Sequence, residues 1–114
     1  MRSLSIQVQP ERSPGLDMQR LAQAFESIAD MRDLVNNHAF GNGFDDGAYF
    51  NFNFDTSRAE ELWKTVQKSV YQSPEFREHM ACASMAMCSS DEGWHDYLQL
   101  FHFDPLVEID TFTN

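Results

Sequence analysis

The stretch AYFNFNFDTSRAEELW, residues 48–63, constrains the fold more than any other part of the chain. Phe50, Phe52 and Phe54 alternate with polar residues, and this period of two is typical of a half-buried β-strand. Asparagine is depleted in strands, yet two asparagines occupy the polar positions between the phenylalanines. We therefore predict a strand whose phenylalanines lie in the core and whose other face is open to water or to a partner.

The period changes to that of a helix directly after this strand. Ser57 and Glu60 match the S-x-x-E capping box that marks the start of many helices. The apolar residues then recur every three or four positions until about Tyr71, so a helix with one buried stripe is predicted. The stripe consists of Ala59, Leu62, Trp63, Val66 and Val70.

Four other segments complete the predicted fold. Residues 4–9 alternate like the phenylalanine strand, and residues from about 14 or 16 to 35 carry a helical apolar stripe. The apolar run 80–88 predicts a central strand, and residues 97–103 predict its hairpin partner. The glycine-rich segment 36–47 reads as an irregular loop that contains, at most, very short strands.

These elements predict one α+β domain that spans residues 1–114. The expected architecture is a two-layer sandwich, in which a mostly antiparallel sheet of four or five strands carries two main helices on one face. If segment 36–47 contributes a strand, the order approaches the ferredoxin-like arrangement with an added strand. If it does not, the order is βαβαββ with at least one parallel pair, and periodicity leaves both orders open.

The net charge of −10, from eighteen acidic and eight basic residues, restricts the class of ligand. Binding to nucleic acid requires a basic surface that contacts phosphates, so nucleic acid is not expected as a direct ligand. An anionic membrane surface is disfavoured for the same reason. A basic protein remains a suitable partner, because a negative surface attracts it over a distance.

The chain shows neither a signal peptide nor a run of about 18 apolar residues that would span a membrane. We therefore expect a cytoplasmic protein, and the inhibitor hypothesis given below adds the expectation of a bacterial or phage origin. Cys82 and Cys88 lie in one predicted strand, where they would be ~20 Å apart and unable to form a disulfide. Both cysteines are interpreted as reduced, small apolar residues.

The sequence contains no recognisable catalytic or metal-binding motif. The four histidines form no H-x-x-x-H pattern, and C-x-x-C and P-loop motifs are also missing from the sequence. The two cysteines lie in an apolar run of an acidic chain, which disfavours a reactive thiolate. We therefore predict no enzyme activity, no cofactor and no metal site.

Acidic and aromatic residues that share two predicted loops form the candidate partner-binding surface. Carboxylates would select a basic partner, and exposed aromatic rings would supply anchors that become desolvated on binding. The competing interpretation is that the aromatic residues fold back over the sheet. The candidate residues are Asp45, Asp46, Asp91, Glu92, Trp94, Asp96 and Tyr97.

The function that these features favour is inhibition of a basic protein. An immunity protein that neutralises a nuclease-like toxin would fit, as would a phage-encoded inhibitor of a nucleic-acid enzyme, since carboxylates compete for clefts that hold phosphates. An alternative is a homodimeric module, either a small-ligand binder or a minor enzyme. Its site would lie between the bare sheet face and segment 36–47, using His38, Tyr49 or His102. A third possibility is an assembly protein whose exposed strand edge pairs with a second copy.

Overall fold

The structure is a computed structural model of the chain and describes residues 1–112. Three α-helices and five strands follow in the order β-α-β-β-α-α-β-β. The strands are β1 (Arg2–Val8), β2 (Asn37–Phe44), β3 (Ala48–Thr56), β4 (Ser84–Ser90) and β5 (Gly93–His102). The helices are α1 (Met18–Ala29), α2 (Ala59–Val66) and α3 (Arg77–Ala83). A π-helix, Gln67–Tyr71, continues α2. No helix within residues 1–112 is both long and apolar enough to cross a membrane.

The five strands form one sheet in the order β2-β3-β1-β4-β5, and each neighbouring pair is antiparallel. The predicted α+β class with an antiparallel sheet is confirmed. The βαβαββ alternative with a parallel pair is wrong for these strands. Segment 36–47 is not a loop, because residues 37–44 pair with residues 48–55 over eight consecutive positions. The polar, glycine-rich residues of β2 form a strand because their backbone groups form hydrogen bonds with β3.

The core contains the strand residues that the alternating patterns predict. Leu4, Ile6 and Val8 of β1 are fully buried, as is Phe54 of β3. Buried residues of α1 and α2 pack with them in one cluster. The Phe25 ring of α1 stacks on the Phe52 ring with 4.2 Å between centroids. The residues that alternate with these core positions on β1 and β3 are partly exposed.

The apolar run 80–88 is divided between two elements, which corrects the predicted continuous strand. Its first part ends α3, and β4 begins at Ser84, whose hydroxyl donates a hydrogen bond to the Met80 carbonyl at 2.7 Å. An unbroken apolar run has no period, so the sequence cannot separate helix from strand there. Cys82 is consequently exposed on the helix, whereas Cys88 is buried in β4. Burial raises the pKa of the Cys88 thiol.

The junction between β3 and α2 does not use the predicted capping box. Arg58, not Ser57, is the N-cap residue, and its side chain makes no capping hydrogen bond. The fully buried Thr56 joins the two elements instead. Its hydroxyl donates to the Leu34 carbonyl at 2.5 Å and accepts from the Arg58 N–H at 2.9 Å.

Candidate functional site

The edge strand β5 leaves the regular ladder near its start. Cys88 pairs with Leu98 and Ser90 pairs with Gly93, so the four residues 94–97 lie opposite the single residue Ser89. A bulge of this kind bends the strand and changes the direction of its side chains. All four residues of the bulge are exposed to solvent.

Five of the predicted partner-binding residues lie in this bulge or in the turn directly before it. We call them the β5 edge patch: Asp91, Glu92, Trp94, Asp96 and Tyr97. The three carboxylates are exposed, and the two aromatic side chains are 46% and 47% exposed. Trp94 is therefore not buried in the core, although the part of its side chain that is covered is compatible with packing over the sheet. Large aromatic residues are usually buried, so this exposure is the most unusual property of the patch.

A tight turn holds the patch at the end of the β4–β5 hairpin. The Ser90 hydroxyl donates to the Gly93 carbonyl at 3.1 Å and accepts from the Glu92 N–H at 3.2 Å. Gly93 has a φ of 122°, a conformation that side chains other than glycine rarely adopt. Asp91 lies 3.4 Å from the N-terminal amine in an exposed ion pair, which contributes little to stability. The chain therefore fixes the direction of the patch mainly through backbone geometry.

Asp45 and Asp46 lie at the other end of the sheet, in the turn between β2 and β3. The last residue of β1 pairs with Phe50, near that turn, whereas Leu4 pairs with Cys88, near the end of β4. The two acidic turns are thus separated by about the length of β1, ~20 Å, and lie on opposite sides of it. The seven predicted residues do not form one surface.

A cavity of about 400 Å³ lies beside the β2–β3 turn, at one end of the exposed sheet face. Of the three residues predicted for a small-ligand site, only Tyr49 lines this cavity. Gln7 and Gln9, which the sequence analysis did not select, also line it. The alternating polar residues of β1 were visible in the sequence. The register of β1 with β3, which places two of them beside the cavity, was not. The lining residues are Gln7, Gln9, Asp45, Asp46, Gly47, Tyr49, Asn51 and Met85.

The asparagines of β3 bind side chains of β1 across the exposed face. The Ser5 hydroxyl donates to Asn53 Oδ1 at 2.6 Å, and Gln7 Nε2 donates to Asn51 Oδ1 at 3.3 Å. A third cross-strand bond at 2.8 Å runs from the Ser3 hydroxyl to an Asp55 oxygen. These pairs explain why asparagine is tolerated in this strand. They also mean that polar side chains on this face of β1 and β3 hydrogen bond to one another.

In the part of the chain that the structure describes, no group of three histidine, cysteine, aspartate or glutamate side chains could hold a metal ion. The Ser13 hydroxyl and His79 Nδ1 are 2.6 Å apart, a contact that links the segment after β1 to α3. Comparisons of the chain with protein-family models, curated proteins and solved structures found no match. The functional argument therefore depends on the geometry of the β5 edge patch and of the cavity.

Proposed function

We propose that this protein is a small acidic inhibitor that binds a basic protein through the β5 edge patch. The observation that carries the proposal is the bulge, which holds Trp94 and Tyr97 half-exposed among three exposed carboxylates. An immunity protein against a nuclease-like toxin, or a phage inhibitor of a nucleic-acid enzyme, would have this chemistry. Targets of both kinds act on nucleic acid inside the cell, so we propose a cytoplasmic location.

The two kinds of side chain in the patch would have different effects on binding. The carboxylates, with the net charge of −10, would accelerate the encounter with a positive cleft. The aromatic rings would become desolvated in the complex and slow its dissociation. Asp45 and Asp46, ~20 Å away along the sheet, would add to the negative potential without sharing the aromatic contact.

We also propose that the fold is a ferredoxin-like two-layer sandwich with β5 as the added strand. The strand order β2-β3-β1-β4 and the helices after β1 and β3 support this assignment. The single buried cluster on one side of β1 and β3 supports it as well. In that arrangement β5 is an addition at the β4 edge, where a functional segment could vary without disturbing the core.

Charge reversal in the β5 edge patch is expected to abolish capture of the basic partner in a pull-down that uses this protein as the immobilised bait. The patch variant combines Asp91→Lys with Glu92→Lys, and the matched control combines Glu26→Lys in α1 with Asp30→Lys at the C-cap of that helix. Both variants change the net charge equally, and all four positions are exposed. Wild type and control should retain a basic protein at about 50 mM salt and release it at about 500 mM, as screening predicts.

Once the captured protein is purified, its rates of association with and dissociation from each variant can be measured. The patch variant should associate at least about tenfold more slowly than the control variant, since charged residues act mainly on association. Trp94→Ser should instead accelerate dissociation by about thirtyfold, as expected for an anchor worth about 2 kcal/mol. Equal capture by all baits, or equal rates, would reject the patch as the binding surface.

A second candidate function is the binding of a small polar ligand in the cavity beside the β2–β3 turn. The favouring observation is a cavity of about 400 Å³ lined by three amide side chains, the Tyr49 side chain and two carboxylates. Its size falls within the range of small-molecule sites, although such sites are usually more apolar.

Titration with small cationic amines tests this second function by NMR. The backbone amides of Gln7, Tyr49 and Asn51 should shift in wild type, and the shifts should be lost in an Asp45→Asn, Asp46→Asn variant. An Asp91→Asn, Asp96→Asn variant removes equal charge elsewhere and should retain them. Shifts spread over all acidic residues, or shifts that persist in the cavity variant, would contradict a site there.

A further inference from the structure

The two edges of the sheet differ in how they are protected from other strands. The β5 edge is bulged, and the C-terminal segment covers part of it. The Gln99 N–H donates to Asp110 Oδ2 at 2.9 Å, and the Asp110 N–H donates to the Gln99 carbonyl at 2.7 Å. Bulges and covering segments are two of the devices by which proteins prevent edge-to-edge association.

The opposite edge strand, β2, has none of these devices. Its eight residues pair with β3 without a bulge, and none of them is charged or proline. Within residues 1–112, no hydrogen bond joins its outward-facing backbone groups to another segment. Phe44, at its end, is 76% exposed. A regular, uncharged and uncovered edge of this length is a template for pairing with another strand.

We propose that β2 pairs antiparallel with β2 of a second copy, around a twofold axis near Gly41. This contact joins the two sheets into one of ten strands and keeps both exposed faces on the same side. With Gly41 opposite itself, residues 38–44 pair and Phe44 lies opposite His38 of the second copy. The same surface serves both partners, as a twofold interface requires. The contact also covers Phe44, whose exposure the monomer does not explain.

Charge within β2 does not oppose a second copy at this edge, despite the net charge of −10 on each chain. No carboxylate lies within β2, so the paired strands bring none into direct contact. The two Phe44 residues are ~20 Å apart in this pairing, and so the adjacent acidic turns are separated by more than the ~8 Å screening length at physiological salt.

Each acidic turn would instead approach the start of the other copy's β2. Arg58 lies there, but its Nη1 is 3.6 Å from Asp33 Oδ2, so its charge is already paired within the same copy. Three strands separate the β5 edge patch from β2, so the patch remains free. The dimer therefore does not depend on the proposed inhibitor function, and either can fail alone.

Analytical ultracentrifugation of the purified chain tests the proposal at about 1–200 μM, because self-association depends on concentration. Wild type should form a dimer at the upper end of this range. Gly41→Lys places two like charges opposite each other and should weaken the dimer about fivefold, as should Phe44→Ser by removing the covered ring. A side chain at Gly41 meets no atom within 4 Å, so the monomer should tolerate the lysine.

The matched control is His95→Lys, which adds the same charge at the bulged edge and should leave the dimer unchanged. Amide hydrogen exchange gives an independent measurement, because β2 amides should become protected as the concentration rises. A wild type that stays monomeric throughout overturns the proposal. So does a dimer that resists both β2 substitutions, or one that only His95→Lys disrupts.

Discussion

Replacing Phe54 with alanine is expected to lower the free energy of unfolding by about 3–5 kcal/mol. The side chain is 0% exposed, and its ring centroid lies 6.1 Å from that of Phe25 and 5.5 Å from that of Phe40. Truncation would remove contacts to α1 and to the neighbouring strand β2 and leave a cavity in the core. Small domains have only about 5–15 kcal/mol in total, so this one change would remove a large fraction.

Urea unfolding followed by circular dichroism measures this loss, with Phe50→Ala as the control. Phe50 belongs to the same strand and the same alternating set, but it is only partly buried. Its truncation should therefore cost less than half as much as that of Phe54. Equal losses for the two variants would contradict the account in which Phe54 is buried more deeply than Phe50.

Thr56→Val is expected to destabilise the protein by about 1–3 kcal/mol, although it conserves the size of the side chain. The hydroxyl lies at 0% exposure and bonds to the Leu34 carbonyl and the Arg58 N–H. A methyl group in its place would leave both backbone groups without this partner at the junction between β3 and α2. The same urea titration gives the free energy.

Ser57→Ala provides the comparison that separates two accounts of this junction. Ser57 is exposed, and Arg58 is the N-cap residue of α2, so the substitution should change the free energy of unfolding very little. If the capping box operated, Ser57→Ala would cost about 1 kcal/mol. The Thr56 substitution would then have the smaller effect.

The β5 edge patch and the β2 edge lie at opposite sides of the sheet, with three strands between them. A dimer formed through β2 would therefore present two copies of the patch at its far ends. Each patch would bind its own partner molecule. If the two partner molecules were linked to each other, the dimer would retain them longer than a monomer retains one. The net charge of the assembly would double, which would strengthen the attraction to a basic target.

The sequence alone determined the parts of the fold that have a clear local period. The phenylalanine strand, the alternating first strand and the helix after Ser57 were all predicted close to their observed positions. The partly exposed polar face of β3 was also predicted, because successive side chains of a strand project to opposite faces of the sheet. The carboxylates of residues 91–97 were correctly predicted to be exposed, whereas the sequence left the exposure of Trp94 and Tyr97 open.

Only the tertiary structure decided the features that depend on pairing between distant segments. Residues 37–44 have weak strand propensity and become a strand because β3 supplies hydrogen bonds along their whole length. The register of β1 with β3 and β4 placed Asp45 far from Asp91, and the bulge opposite Ser89 exposed Trp94. A local pattern encodes how one segment buries its own side chains. Register and edge position are properties of two or more segments, so no single stretch of this chain could specify them.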